Sequence, residues 1–271
     1  MMAGVRPQVV AHRGASHEIA EHTLGAYVAA LDVGAEAVEC DVRLTADGHL
    51  VCVHDRTLKR TAQTRGLVST MELSELSELD FARWKNPWVD LDDEAPDRDE
   101  RLDRVLTLRT LLQTVSDYST RTGRRVEVAV ETKHPTRYGG LVEKRLAELL
   151  ADFGWTGRDA PVRVMSFSYT ALQRVERLVP QLRLVQLIEH SRNWSMLSRV
   201  IGPDWVVGPG IATLRDHPKL GRRITRAGHD LHVWTVNNRA DLDLCLELGA
   251  AAVISDRPAY MLELLAASDT P

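Results

Sequence analysis

A chain of 271 residues, 44% of them apolar, holds enough material for one large domain or two small ones, and a large α/β barrel fits as a single domain. Its 34 Lys and Arg stand against 38 Asp and Glu, a formal net charge of −4 that gives no footing for nucleic acid as a partner. Three cysteines without metal spacing, no apolar signal core and no uncharged run of membrane-spanning length predict a soluble, reduced, cytoplasmic protein with no stable membrane insertion.

The first strand candidate is QVVAHRG, residues 8–14, which ends in His12-Arg13-Gly14. An amphipathic segment, TLGAYVAALDVG, follows. AVECDVRL, residues 37–44, then reads as a buried strand that carries Glu39 and Asp41 on one side. Two like charges away from water are costly unless water, basic side chains or a metal ion compensate them. LVCVHD, residues 50–55, is separated from that strand only by TADGH, with its Asp-Gly turn signal. A parallel crossover needs a dozen or more residues, so this pair is expected as an antiparallel hairpin.

Residues 57–104 break the pattern. STMELSELSELDF, residues 69–81, reads as helical, and Trp84 and Trp88 follow in ARWKNPW. The run from Asp90 to Arg104 is acid-rich and poor in apolar residues, which predicts a solvated, mobile insertion that could also serve as a lid. Its acidity argues against docking to anionic lipid.

Six more strand candidates follow: VEVAVETK, VRVMSFS, LRLVQLIE, WVVGPG, LHVWTVN and AAVISD, with amphipathic segments such as YTALQRVERLV and ADLDLCLELG between them. Strand–helix alternation predicts a parallel sheet. Setting the hairpin excursion aside leaves eight units, the number of a closed (β/α)8 barrel.

In such a barrel the chemistry sits where strands end. The ends here read His12-Arg13-Gly14, Glu39-x-Asp41, His54-Asp55, Glu131-x-Lys133, Ser166-Phe167-Ser168, Glu189, Trp234-x-x-Asn237 and Ser255-Asp256. Glu39, Asp41 and Glu131 suit a hard divalent cation, Mg²⁺ or Ca²⁺, which prefers oxygen donors. Arg13 and Lys133 beside them make an anion site, and an arginine recognises phosphate with a bidentate fork. His12 and His54 could supply a general acid and a general base. Together these groups equip a site to cleave a phosphate ester.

At these residues the sequence resembles the glycerophosphodiester phosphodiesterase family. The resemblance is carried by AHRGASHEIAEHT, VECDVRLTADGHLVCVHD, VETKHP, VMSFS, HVWTVN and VISDRP, in the family's order and over nearly the whole chain. It implies one (β/α)8 TIM-barrel domain over residues 1–271, with an insertion at about 57–104 after the His-Asp strand. It implies hydrolysis of small-molecule glycerophosphodiesters to glycerol 3-phosphate and an alcohol. By motif, Glu39, Asp41 and Glu131 are expected to hold the metal, His12 and His54 to be catalytic, and Arg13 and Lys133 to clamp the phosphate. Trp234 is expected to form an aromatic wall beside the substrate. Two departures stand out. The family's Pro-Glu-Asn-Thr reads Ala20-Glu21-His22-Thr23, and its Pro-Thr-Leu reads Leu106-Thr107-Leu108, changes expected to touch loop geometry rather than chemistry. Competing expectations are a lysophospholipase D or sphingomyelinase D specificity, a non-catalytic phosphate binder on the same barrel, and a Schiff-base aldolase using Lys133.

Overall fold

The structure is a computed structural model, and it describes residues 6–85 and 100–268. Among the described residues nine strands form one sheet: β1 (Gln8–His12), β2 (Ala37–Leu44), β3 (Leu50–Cys52), β4 (Glu127–Thr132), β5 (Val162–Ser166), β6 (Arg183–Ile188), β7 (Val206–Pro209), β8 (His232–Trp234) and β9 (Ala252–Ser255). Each lies at one of the expected positions. Eight are parallel, in the order β7-β6-β5-β4-β2-β1-β9-β8. Parallel bridges Val207↔Leu231 and Gly210↔Trp234 join β7 to β8 and bring the ends of the sheet together as a barrel. β3 pairs antiparallel with β2 through Val42↔Cys52 and Leu44↔Leu50, so TADGH does close a hairpin.

The helices are α1 (Leu24–Asp32), α2 (Leu73–Ser77), α3 (Leu108–Thr122), α4 (Leu141–Asp152), α5 (Tyr169–Leu178), α6 (Ser191–Leu197), α7 (Ile211–Asp216), α8 (Lys219–Arg226), α9 (Arg239–Leu248) and α10 (Pro258–Ser268). Several start where the sequence supplies a cap: the side chains of Thr23, Thr107, Ser168 and Asn238 each accept from a backbone N–H of the first turn. Outward strand residues such as Val38, Val128 and Val164 pack against buried Leu31, Leu112 and Leu146 of the helices. Inward residues form layers. Val10, Ala37, Ala129, Met165 and Val185 fill the middle of the barrel. Below them lies a polar layer in which the Glu127 carboxylate is bonded by Arg163 and Arg183, each at 2.8 Å.

The expected helix over residues 69–81 is shorter in the structure. A 3-10 turn at Val68–Thr70 precedes α2, which is only five residues long. Glu72 and Glu75 form a capping box at its start, and beyond it Asp80 accepts from the backbone N–H groups of Ala82 and Arg83. That side-chain acceptor offers the backbone a turn in place of helix. The bend lets Leu76 and Phe81 pack with Val51, Leu58 and Val68 in a small separate cluster. Phe81 N–H also donates to Asp103 O, which ties the two flanks of the insertion together. Trp88 and most of the Asp90–Arg104 run lie outside the described residues.

Candidate active site

Strand register assembles the site. In β1 and β2, His12 stands opposite Glu39; in β2 and β4, Asp41 stands opposite Glu131. Oxygens of Glu39, Asp41 and Glu131 lie within 4.8 Å of one another, and all three side chains are buried. Lys133 Nζ sits 2.8 Å from Glu131 and 3.2 Å from Asp41. Arg13 Nε lies 3.0 Å from Asp41 and Arg13 Nη1 lies 3.0 Å from Glu21. Arg13, Glu39, Glu131 and Lys133 line a pocket of about 290 Å³ together with His12, His54, Phe167 and Trp234.

Local backbone explains the His-Arg-Gly signature. Arg13 adopts φ 59°, the left-handed region that a non-glycine residue rarely occupies. Its backbone N–H donates to the Glu39 carboxylate at 3.1 Å. Gly14 also has positive φ, and a Cβ there would come within 2.6 Å of the Ala26 backbone. Glycine therefore lets the β1 turn lie directly on α1.

The two histidines are mounted alike. His12 Nδ1 is 2.6 Å from Asp256, and His54 Nδ1 is 2.8 Å from Asp55. A carboxylate only accepts, so each Nδ1 carries a proton and each Nε2 is left for other work. Asp256 is held in turn by Asn237 Nδ2 at 2.6 Å and Ser16 Oγ at 3.0 Å. Burial would raise the Asp256 carboxyl, but the bonds from His12, Asn237 and Ser16 bring it down to about 2. Burial, helped by the charges of Arg13 and Lys133, pushes the His54 imidazole below its ordinary range.

The carboxylate trio is electrostatically unbalanced. Burial would raise Asp41, yet the His22 hydrogen bond and the Arg13 and Lys133 charges hold it well below the usual carboxylate range. Burial and the neighbouring Asp41 charge push Glu39 well above that range and Glu131 up to about 8. Two of three carboxyls thus favour protons, the condition that a cation among oxygen donors relieves. The donor set fits a hard divalent metal.

The sequence pattern of the glycerophosphoryl diester phosphodiesterase family matches residues 12–260. The chain belongs to this family. A Mycobacterium tuberculosis protein described as "Probable glycerophosphodiester phosphodiesterase 1" is 43% identical over 262 residues, covering 95% of this chain and 92% of its own. A glycerophosphodiester phosphodiesterase of Bacillus subtilis is 32% identical over 253 residues, 92% of this chain and 83% of its own. In fold, the chain is similar to the solved structure of an Oleispira antarctica phosphodiesterase in complex with the product sn-glycerol-3-phosphate, with a TM-score of 0.77 at 24% identity over 96% of this chain and 97% of that one.

At the position where the glycerophosphodiester phosphodiesterase family usually has Asn, His22 does more than shape a loop. Its φ of 61° turns the ring inward, where Nε2 lies 2.9 Å from Asp41 and Nδ1 lies 2.8 Å from the Tyr27 hydroxyl. Arg60, from the insertion, is a second residue the sequence did not single out. It donates to both Glu21 oxygens at 2.7 Å and to Asp55 at 2.8 Å, linking the mounts of Arg13 and His54. Trp84 lies outside the pocket: its Nε1 donates to Phe81 O, and Arg60 and Lys85 stand over its ring at 5.5 and 5.8 Å. Trp234 lines the pocket, with Nε1 donating to Gly208 O at 2.8 Å and the ring edge-to-face with Phe167. Burial lowers the Lys133 amine, but Asp41 and Glu131 more than offset this and raise it. This shift runs against the free amine that a Schiff-base role requires.

Proposed function

We propose that the chain is a single-domain, metal-dependent glycerophosphodiester phosphodiesterase, spanning residues 1–271 with an insertion near 57–104, that releases glycerol 3-phosphate and an alcohol. The observation that carries this reading is the convergence of Glu39, Asp41 and Glu131 with His12, His54, Arg13 and Lys133 around one pocket at the strand ends. A divalent cation, Mg²⁺ or Ca²⁺, held by the three carboxylates would offset the charge that builds on the phosphoryl oxygens. Arg13 and Lys133 are the cations that bind and orient the phosphate. Arg13 is already fixed by Glu21 and Asp41, so its fork is preorganised.

His12 and His54 divide the proton transfers. One takes a proton from the attacking oxygen, the other delivers one to the departing alkoxide. Asp256 and Asp55 fix their orientation, which supports both roles. Trp234 and Phe167 form the apolar wall that excludes water on one side. No described helix is long and apolar enough to cross a membrane, and the three cysteines are free and buried, in keeping with a reducing cytoplasm and a water-borne substrate.

The test is release of glycerol 3-phosphate from a panel of glycerophosphodiesters, with and without chelator. Metal-dependent turnover is expected. Phosphate-ester binding without turnover would make the protein a binder instead. Choline release from lysophosphatidylcholine and from sphingomyelin, neither of which yields glycerol 3-phosphate, tests the lysophospholipase D and sphingomyelinase D specificities.

A further inference from the structure

Glu189 follows directly on β6 and takes no part in the network around Asp41. It is exposed, and its carboxylate has no hydrogen bond or ion pair among the described residues. Its main chain is anchored, because the Thr213 hydroxyl donates to its carbonyl. Glu189 lines both the site pocket and a second groove of about 510 Å³ that continues outward past Tyr169, Asn193 and Met196. Phe167, Leu187, Glu131 and Lys133 are shared by the same two spaces.

The charges along this path differ in how they are paired. Where the two spaces meet, Lys133 is bonded to Asp41 and Glu131, and Arg13 is bonded to Asp41, so both cations already have carboxylate partners. Glu189 brings a negative charge without a cation of its own. Phe167, which lines the same groove, is 42% exposed; its ring lies 5.5 Å from that of Trp234 at 86° and 5.9 Å from Lys133 Nζ, so one cation already uses this ring. A free carboxylate beside accessible aromatic rings is the chemistry that holds an alkylammonium group. A phosphodiester places its leaving alcohol next to the phosphate, on the open side.

We propose that Glu189, with Phe167, forms a subsite for a cationic head group on the leaving alcohol, a choline or ethanolamine, and so determines head-group preference. This rests on the phosphodiesterase reading above. It assigns Glu189 to binding and discrimination, with no part in the proton transfers.

The test compares glycerophosphocholine with glycerophosphoglycerol in the wild type, Glu189→Gln and Phe167→Leu. The wild type is expected to prefer the choline ester. The ratio of the two kcat/KM values should fall roughly 3- to 30-fold in Glu189→Gln, and less in Phe167→Leu. An unchanged ratio overturns the proposal, whether or not absolute rates fall; a uniform loss would assign Glu189 to the glycerol or phosphate instead. A second measurement needs no turnover. Titration with choline and with its uncharged isostere 3,3-dimethyl-1-butanol, followed by tryptophan fluorescence, should favour choline in the wild type and not in Glu189→Gln. Equal affinity for both in the wild type overturns the subsite. If the wild type releases no glycerol 3-phosphate from any ester, the phosphodiesterase reading fails while the titration still decides this one.

Discussion

His22 Nε2 lies 2.9 Å from Asp41 Oδ2, at the position where the family usually has asparagine. Burial pushes the His22 imidazole below its ordinary range; Nε2 donates to the Asp41 carboxylate, and Nδ1 lies 2.8 Å from the Tyr27 hydroxyl, which itself donates to the Glu39 carbonyl at 3.0 Å. Asp41 thereby keeps its negative charge in a buried place. His22→Ala should leave that carboxylate short of one donor, and outer partners of metal ligands are typically worth about 10–100-fold in affinity or activity. His22→Asn restores an amide donor and should recover most of the loss. Metal titration of both variants checks this; wild-type affinity in His22→Ala would reduce His22 to a packing residue.

Metal binding should release protons. Glu131 is pushed up to about 8, and Glu39 is also raised, so at pH 7 the unliganded site holds protons that a cation must displace. Affinity should therefore rise with pH up to about 8, by roughly tenfold per unit for each proton displaced. Calorimetric titration in two buffers of different ionisation enthalpy measures the proton count. No proton release would show the carboxylates already ionised. Exhaustive chelation should abolish turnover, and full activity in metal-free protein would remove the metal from the reaction.

Asp256 links the site to acid stability. Its carboxyl lies at about 2 in the folded protein, below the ordinary ~3.9. A depressed folded value means the stabilisation is present above ~3.9 and is lost as pH falls toward 2. With the side chain 31% exposed, the contribution is on the order of 1–2 kcal/mol. The melting-temperature gap between wild type and Asp256→Asn should be largest near neutrality and close between pH 4 and 2. A gap constant across that range would mean the loss comes from packing alone.

Arg13→Lys keeps one charge and loses the planar fork that reaches Glu21 and Asp41 together. We expect kcat/KM to fall about 100-fold or more, in line with a misplaced anion clamp. Wild-type kcat/KM in this variant would show that a point charge suffices.

Much of this site was legible because strand ends are local. HRG, VECDV, VHD and VETK each place a charged group at the end of an apolar run, and parallel register does the rest: His12 opposite Glu39, Asp41 opposite Glu131. TADGH announced its hairpin by length and turn chemistry. What escaped depends on contacts distant in the chain or on backbone geometry. Arg60 and Glu21 are 39 residues apart and meet only because the insertion folds back onto the rim. Nothing in AEHT reveals that His22 takes positive φ and turns inward. The 69–81 segment has helical spacing, but its apolar residues close a small cluster that needs a bend.

The histidine pair carries the sharpest prediction. His12 and His54 have matching mounts, each with Nδ1 on a carboxylate, so geometry treats them as equals. The chemistry does not. A natural head-group alkoxide needs a proton to leave, whereas nitrophenolate leaves without one. With glycerophosphocholine, His12→Ala and His54→Ala should each lose on the order of 10²–10⁴-fold. With a nitrophenyl phosphodiester, only the variant missing the general acid should recover, and the one missing the base should stay slow. The comparison therefore identifies the acid. Recovery of both variants would mean that neither acts as base, and near-native turnover of glycerophosphocholine by either would make that histidine structural.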